Sequence, residues 1–309
     1  MDSILRGATR EPDLMTTTTD RWALTEGSEI APGRHAVKLL GRGERYETYV
    51  ARDDRLGCHV VAKVLRPDRL DDRSAHEGLA AEAEMLIRLR HPVIVRSLDE
   101  ALDAPLPHVA LEHLDGPALS TLVRMYGPLP LEQLVPLATQ ICAALHYMTA
   151  EGVVHLDIKP RNIIMGGPPR LIDLSIARTL EETARLRYRV GTDAYMAPEQ
   201  WAPRDLGPVG PPADVWGLGA TLYNALTGIK PFPSGDKDED AGVERYEHRL
   251  AELPTMGRRV PAALEDLVWS CLRIDPELRP TASELSAGLE PFVAAIPKRP
   301  VLSRLRPRL

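Results

Sequence analysis

The residues with the clearest chemical capacity lie in one segment, residues 152–175, with the sequence GVVHLDIKPRNIIMGGPPRLIDLS. A carboxylate such as Asp157 can orient an attacking hydroxyl group and accept its proton. The amide oxygen of Asn162 and the carboxylate of Asp173 are hard oxygen ligands, which suit Mg²⁺ when phosphate oxygens complete its coordination shell. Lys159 can neutralise a phosphoryl group. These residue types favour chemistry on a phosphate ester, if the fold brings the side chains together.

The spacing within this segment predicts a hairpin. Two short apolar runs, 163–165 and 170–172, flank the sequence Gly-Gly-Pro-Pro, which is typical of a turn. If the last residue of the first run pairs with the first residue of the second, Asn162 pairs with Asp173 at the open end. The alternative is a polar hairpin with ordinary surface charges, because short constellations also arise by accident.

The part of the chain that precedes this segment is rich in predicted strands and contains one predicted helix. A helical period of apolar residues predicts a helix over 73–90, which ends at His91-Pro92. Short apolar runs predict strands, with a turn at 54–57. The predicted strands are HAVKLLGRG (35–43), YETYVARD (46–53), HVVAKVL (59–65), 93–98 and 108–114.

Helical periods dominate the chain after Gly116. The most apolar helix candidate, 134–150, contains Pro136, Gln140 and His146, and we interpret it as a buried core helix rather than a membrane span. The helical regions are predicted at 117–150, 196–227, 262–273 and 281–290.

Composition limits the class of protein. The chain has 309 residues, of which 44% are hydrophobic, enough for a large core in one bilobal domain or two small domains. The net charge of −6 argues against a nucleic-acid partner. The three cysteines lie far apart, lack metal-ligand spacing and are interpreted as reduced thiols. Because no charged-then-apolar signal segment is visible, we expect a cytoplasmic protein.

Both ends and one internal loop are expected to lie outside the compact fold. Residues 1–33 are expected to form a flexible segment because they are largely polar, and residues 234–240, SGDKDED, a solvated loop. Residues 291–309 form a basic, proline-rich tail. This tail suits a flexible end, which we favour, the beginning of a membrane-proximal stretch, or a contact with anionic lipid. The sequence indicates no oligomeric state.

Segment 152–175 resembles the catalytic loop and the metal-binding segment of the eukaryotic-type (Hanks-type) protein kinases. Other parts of the chain match the signature of this family in the same order. The matching residues are Gly41 and Gly43, Val61-Ala62-Lys63-Val64, His155-Leu156-Asp157 through Asn162, Asp173-Leu174-Ser175, Ala197-Pro198-Glu199, Asp214-Val215-Trp216-Gly217-Leu218-Gly219, and Arg279. The phrases GTDAYMAPEQ and ARDDRLGCHVVAKVL are most similar to bacterial Ser/Thr kinases.

The resemblance covers residues 34–290 and implies an α+β, bilobal protein kinase-like fold. In such a fold a small β-rich N-lobe with one long helix (34–111) is joined by a hinge (112–116) to a larger, mainly α-helical C-lobe (117–290). The resemblance also implies a protein serine/threonine kinase that uses ATP and Mg²⁺, with Mn²⁺ as an alternative ion, and acts on protein substrates in bacterial-type signalling.

The resemblance further implies a role for individual residues. The implied catalytic residues are Lys63, Glu82, Asp157, Lys159 and Thr192, and the implied metal ligands are Asn162 and Asp173. The implied nucleotide-contacting residues are Leu40, Gly41, Gly43, Thr48, Ala62, Lys63, Leu111, Glu112, Leu114 and Ile164, although each apolar one could equally belong to the core. Thr192 and Lys159 argue for Ser/Thr over Tyr substrates.

The resemblance implies that Lys63 pairs with a glutamate of the predicted helix, which offers Glu77, Glu82 and Glu84, and helix geometry selects among them. At about 100° per residue, Leu79, Glu82 and Leu86 share one face of the predicted helix, while Glu84 points nearly the opposite way. We therefore predict that Glu82 pairs with Lys63 and that Glu84 is a solvated helix charge.

Four residues depart from the family pattern. Tyr46 stands where the third glycine of the phosphate loop belongs, which is costly if that position needs a positive φ. Thr48 replaces the usual valine over the base, and Ser175 replaces a glycine. Leu156 replaces the arginine that normally meets a phosphorylated activation loop. Of these departures, Tyr46 and Ser175 motivate a rival hypothesis, a pseudokinase that serves as a nucleotide-binding scaffold or regulatory module.

The segment that follows Asp173 bears on regulation and on a third hypothesis. Thr179, Thr183 and Tyr188 are candidate phosphorylation sites, or simply loop hydroxyl groups.

A small-molecule phosphotransferase with a related core is the third hypothesis. Glu199 and its expected buried partner Arg279 argue against it, because that pair supports a peptide-docking segment.

Overall fold

The computed structural model confirms the α+β, bilobal architecture, with an N-terminal sheet above a helical C-terminal region. It describes residues 20–232, 250, 253–257 and 260–297. The expectations for residues 1–19, the loop 234–240 and residues 298–309 therefore lie outside the described residues.

The N-lobe is built on one antiparallel sheet of six strands in the order β1-β2-β3-β4-β6-β5. The strands are β1 Glu29–Ala31, β2 Arg34–Arg42, β3 Tyr46–Asp53, β4 Cys58–Leu65, β5 Ser97–Ala101 and β6 His108–Glu112. The predicted turn between β3 and β4 is confirmed, and Asp53 closes it by accepting hydrogen bonds from the main-chain N–H groups of Leu56 and Gly57.

The strand predicted at 93–98 is displaced in the structure, because β5 begins only at Ser97. The apolar residues Val93, Ile94 and Val95 are buried instead in the main core. Val93 and Val95 exchange hydrogen bonds with Leu171 in the C-lobe rather than with the N-lobe sheet. This apolar run therefore connects the two lobes.

The long helix of the N-lobe, α1, spans Arg73–Arg88 and packs one face against the sheet. Asp72 caps its N-terminus by accepting a hydrogen bond from the main chain of Ala75, which satisfies one of the free N–H groups of the first turn. The buried face of the helix includes Leu79, Glu82 and Leu86. The helix thus presents a carboxylate to the interior of the N-lobe.

The expectation that all of residues 1–33 form a flexible segment is wrong for residues 20–33. Trp22 donates a hydrogen bond from Nε1 to the carbonyl oxygen of Leu65 at 2.7 Å, and strand β1 pairs with β2. Trp22 and Leu24 pack on an apolar cluster of the sheet that contains Ile30. These apolar side chains bind the segment to the N-lobe despite its polar composition.

The C-lobe consists mainly of helices around α3, which is buried as expected. Its helices are α2 Leu119–Tyr126, α3 Leu131–Ala150, α4 Leu180–Ala184, α5 Pro198–Trp201, α6 Pro211–Thr227, α7 Ala262–Cys271 and α8 Ala282–Ala295. Among the helices that the structure describes, none has both the length and the apolar character needed to cross a membrane.

The last helix continues past the expected domain boundary at residue 290. Helix α8 begins at a capping box formed by Thr281 and Glu284 and ends at Ala295. Phe292 and Ile296 pack against the main core. This apolar contact stabilises the continuation of the helix past residue 290. The basic tail therefore begins after α8 rather than at residue 291.

Two short strand pairs complete the cleft side of the C-lobe. The strands are β7 Val153–Val154, β8 Ile163–Ile164, β9 Arg170–Leu171 and β10 Arg178–Thr179, in which β7 pairs with β10 and β8 with β9.

The predicted hairpin exists, but its register is one residue away from the expected one. Ile164 pairs with Arg170, and Asn162 accepts a hydrogen bond from Ile172 rather than lying opposite Asp173. Met165 leaves the hairpin because its N–H group donates to the carbonyl of Pro117. Asp173 consequently follows the hairpin, where its backbone turns with a positive φ of 69°.

Candidate active site

A cleft between the lobes contains a cavity of about 650 Å³, a volume typical of small-molecule sites. Its walls come from β2, β3, β4 and β6 above and from β8 and the residue that follows β9 below. Of the residues expected to contact a nucleotide, Leu40, Gly41, Thr48, Lys63, Leu111, Glu112, Leu114 and Ile164 line this cavity. Gly43 lines an adjoining cavity, also of about 650 Å³, beneath the β2–β3 turn.

The assignment of Ala62 to the wall of the cleft is wrong. Ala62 is fully buried in the apolar cluster on the other face of the sheet, together with Tyr49, and Val61 lines the cavity instead. Side chains alternate along a strand, so the residues two apart, Val61 and Lys63, share the face that opens to the cleft. This alternation was available in the sequence and would have selected Val61.

Two further wall residues, Val95 and Ile172, have no sequence signal that marks them. Both belong to segments that cross between the lobes. Their position depends on the lobe-connecting hydrogen bonds of Leu171, which only the tertiary structure shows.

The hinge is anchored on both sides. Glu112 pairs with Arg96, with a distance of 3.0 Å between Nη2 and Oε2, and with Arg170 in the C-lobe at 3.5 Å. At the other end Gly116 has a φ of 129°, and an added Cβ would collide with the carbonyl oxygen of Met165. Glycine is therefore required at this end of the hinge.

Lys63 lies at the centre of a partly buried ionic group at the back of the cleft. Its Nζ is 2.7 Å and 2.8 Å from the two carboxylate oxygens of Glu82 and 2.9 Å from Oδ1 of Asp173. Glu82 is buried, whereas Glu84 is exposed. Burial alone would lower the pKa of Lys63, but the two carboxylates raise it above its ordinary value. The lysine therefore carries its charge at neutral pH.

Asp157 is the centre of a second group, beside the first. Lys159 Nζ is 2.6 Å from Oδ2 of Asp157 and 2.7 Å from Oγ1 of Thr192. Thr192 in turn donates to Oδ1 of Asp157 at 2.7 Å. Asn162 donates from Nδ2 to the same carboxylate and to the main-chain oxygen of Asp157, both at 3.0 Å. The carboxylate is thus held in one orientation by three neighbouring side chains.

The loop that presents Asp157 is supported from helix α6. Asp214 accepts hydrogen bonds from the main-chain N–H groups of His155 at 2.7 Å and Leu156 at 2.8 Å. Leu156 has a φ of 67°, which is unfavourable for a residue with a side chain. Burial raises the pKa of Asp214 to about 7, although the two N–H groups oppose that rise. Asp214 therefore stabilises a strained turn next to the site.

The two expected metal ligands have the donor chemistry that Mg²⁺ requires. Because the amide nitrogen of Asn162 donates to Asp157, its oxygen is the atom free to serve as a ligand. Burial would raise the pKa of Asp173, but Lys63 and a hydrogen bond from Ser175 lower it below its ordinary value, so the carboxylate is ionised. Both side chains line the adjoining cavity with Gly41 and Gly43. The residues present therefore fit a magnesium ion bound with phosphate oxygens.

The four departures from the family pattern leave these groups intact. Tyr46 does not need a positive φ, since the described residues other than glycine with positive φ are Ala23, Leu156 and Asp173. Ser175 contributes a hydrogen bond to Asp173, and Thr48 lines the cleft. Leu156 is buried in an apolar cluster that also contains Leu186 of the following segment. This chain thus has an apolar residue in an apolar cluster where the family pattern has an arginine.

The segment between Asp173 and helix α6 is anchored by a buried ion pair. Arg279 forms a two-pronged pair with Glu199, with distances of 2.6 Å and 2.9 Å, and both side chains are almost fully buried. Of the candidate phosphorylation sites, Thr179 caps helix α4 and Thr183 is buried, while Tyr188 is exposed.

Comparison with known proteins agrees with this geometry. A family model described as "Protein kinase domain" matches residues 34–288. The chain is 34% identical over 264 residues to the serine/threonine-protein kinase PknB of Mycobacterium leprae, covering 81% of the chain and 41% of that protein. It is 32% identical over 280 residues to PknB of Mycobacterium tuberculosis, covering 86% and 44%.

A third relative is the serine/threonine-protein kinase PkaA of Streptomyces coelicolor, which is 34% identical over 267 residues, covering 83% of the chain and 48% of that protein. The chain thus matches less than half the length of each of these three relatives.

Proposed function

The chain belongs to the protein kinase family, and on that premise we propose that it is a protein serine/threonine kinase that transfers the γ-phosphate of ATP to Ser and Thr hydroxyl groups of protein substrates. The observation that carries the proposal is the carboxylate of Asp157, held by Lys159, Thr192 and Asn162 next to the ionic group of Lys63. A carboxylate fixed in this way can align a hydroxyl group for attack.

The positions of the site residues support the following roles. Asp157 orients the attacking hydroxyl group and accepts its proton, and Lys159 neutralises charge on the transferred group. Lys63, held by Glu82, contacts the α- and β-phosphates. Phosphoryl transfer depends mainly on positioning and electrostatic stabilisation, which these rigidly paired groups supply.

The metal and nucleotide sites are part of the proposal. Asn162 and Asp173 would hold Mg²⁺, or Mn²⁺ as an alternative, and the bound ion would spread the negative charge of the γ-phosphate. The adenine portion lies in the cleft between the lobes. Its proposed contacts are Leu40, Gly41, Gly43, Thr48, Val61, Leu111, Glu112, Leu114 and Ile164.

The Ser/Thr specificity, the domain bounds and the cellular location are inferred from the site together with the relatives and the composition. Lys159 and Thr192 bridge Asp157, and the relatives compared above are named serine/threonine-protein kinases. We place the kinase domain at residues 34–295, with the hinge at 112–116. A cytoplasmic location agrees with three free cysteines, and a nucleic-acid partner is not proposed for a chain of net charge −6.

Radiolabel transfer tests the proposal. The purified chain is incubated with γ-labelled ATP, Mg²⁺ and a generic protein substrate, with and without a chelator. We expect label on serine and threonine of the protein only when Mg²⁺ is free. Nucleotide binding without turnover would instead support the pseudokinase hypothesis, and transfer only to a small alcohol would support a small-molecule phosphotransferase.

The pair of Glu82 and Glu84 offers a matched prediction on one helix. Glu82→Gln is expected to lower kcat/KM for ATP by about 10- to 100-fold, because it removes the charge that orients Lys63. Glu84→Gln removes the same charge from the exposed face and is expected to change kcat/KM by less than about twofold. Steady-state kinetics at varied ATP measures both. A loss in Glu82→Gln as small as the one expected for Glu84→Gln would show that the ion pair has no functional role.

A further inference from the structure

Tyr46, at the position of the third phosphate-loop glycine, contacts helix α1, Lys63 on strand β4 and Gly43 of the loop. Its side chain is buried, and its hydroxyl group donates to the carbonyl oxygen of Ala75 in the first turn of helix α1 at 3.3 Å. Its ring centroid is 4.8 Å from Nζ of Lys63. One side chain thus contacts both the helix that carries Glu82 and the lysine that Glu82 holds.

The backbone of Tyr46 also closes the phosphate loop. Its carbonyl oxygen accepts a hydrogen bond from Gly43 at 2.8 Å, and Tyr46 pairs with Leu65 at the start of β3. Its side chain and its main chain therefore connect two parts of the site that have separate tasks. In the proposed function the loop would cover the phosphates, and helix α1 supplies the carboxylate.

Helix α1 is shaped to receive the tyrosine. An added Cβ at Gly78 would lie 3.3 Å from the hydroxyl oxygen of Tyr46, which is tighter than most Cβ contacts, and 3.4 Å from Nη1 of Arg45. Glycine in the interior of a helix is otherwise unfavourable. The small residue at this position makes room for the large one at 46.

We propose, on the basis of the kinase function proposed above, that Tyr46 is a positioning residue that holds helix α1 and Lys63 in the arrangement in which Glu82 reaches the lysine. The ring attracts the ammonium group of Lys63 through a cation–π contact, and the hydroxyl group fixes the first turn of the helix. At the third position of the loop, this chain therefore lacks the conformational freedom of glycine and has instead a side-chain contact that orders the site.

The test compares Tyr46→Gly, Tyr46→Phe and Tyr49→Phe by two independent readouts. Tyr49 lies on the same strand but packs on the other face of the sheet and donates its hydroxyl group to Glu47, so it controls for loss of a buried phenol hydroxyl. The first readout is hydrogen exchange of the amides of 73–88, which needs neither nucleotide nor turnover. The second is kcat and KM for ATP.

In Tyr46→Gly we expect the amides of helix α1 to exchange faster and kcat/KM to fall about tenfold, although the substitution restores the family's glycine. Tyr46→Phe retains the ring and should lose about threefold. On an E82Q background, Tyr46→Gly should lower kcat/KM by less than about twofold, because both changes act through the ion pair of Lys63 and Glu82. In Tyr49→Phe the exchange of helix α1 and the kinetics should match the wild type.

The proposal is overturned if Tyr46→Gly and Tyr46→Phe exchange in helix α1 like the wild type, or if the losses of Tyr46→Gly and E82Q multiply. Should Tyr46→Gly fail to fold, Tyr46→Phe decides the question by the same two readouts. A wild-type chain that transfers no phosphate would refute the kinase function, while hydrogen exchange would still decide the role of Tyr46.

Discussion

Replacing Asp157 with asparagine is expected to lower kcat by about 10²- to 10⁴-fold while leaving the affinity for ATP within about threefold. The side chain keeps its shape, and its amide oxygen can still accept from Lys159 and Asn162, which now donate to Oδ2. Its amide nitrogen can donate to the hydroxyl group of Thr192. What the variant loses is the negative charge and the ability to accept a proton from the attacking hydroxyl group.

Phosphate incorporation gives kcat for this variant, and calorimetric titration with an ATP analogue gives the affinity. Asp103→Asn, which removes the same charge from an exposed loop residue, is the matched control and should behave like the wild type. If Asp157→Asn retained kcat within a factor of about ten, the carboxylate would not be the group that activates the hydroxyl. A parallel loss of ATP affinity would point to a structural defect instead.

Removing Arg279 is expected to have the largest effect on stability. Arg279→Ala leaves the carboxylate of Glu199 buried without its partner, and breaking a buried pair in this way typically costs about 3–5 kcal/mol. The arginine also donates to the carbonyl oxygens of three residues, at 2.7 to 3.1 Å, and its guanidinium lies 4.9 Å from the ring centroid of Trp216. Activity should fall with stability, because Glu199 anchors the segment that contains Thr192.

Denaturant unfolding measures the loss. Adding Glu199→Gln to the Arg279→Ala variant should recover part of the lost free energy of unfolding, since burying a neutral amide costs less free energy than burying a carboxylate. Arg273→Ala, at an exposed position just before this region, should change the free energy of unfolding by less than about 0.5 kcal/mol. A loss below about 1 kcal/mol for Arg279→Ala would contradict the interpretation of the pair as a structural anchor.

The resemblance to the protein kinases supplied most of the predicted site residues, and local periodicity supplied the elements that position them. Helix periodicity distinguished Glu82 from Glu84, because the burial of α1 follows its apolar face. Strands β2, β3, β4 and β6 and the hairpin after Asp157 were also visible as apolar runs with turn residues between them. Where one element has one buried face, the pattern of its side chains is sufficient.

The errors arose where two elements compete for the same residues. Met165 bonds to Pro117 rather than continuing its hairpin, which moved the register by one residue. The run that begins at Val93 joins the C-lobe rather than the sheet. Ala62 was a different kind of error, since strand alternation contradicts it without any structure. The role of Tyr46 could not be inferred, because the sequence does not show that helix α1 passes beside it.

The most direct test of the account is a crystal structure of the chain with Mg²⁺ and a non-hydrolysable ATP analogue. We expect one ion at about 2.0–2.1 Å from both the amide oxygen of Asn162 and a carboxylate oxygen of Asp173. The γ-phosphate should face Asp157. An ion bound away from both side chains, or a terminal phosphate pointing away from Asp157, would contradict the proposed chemistry.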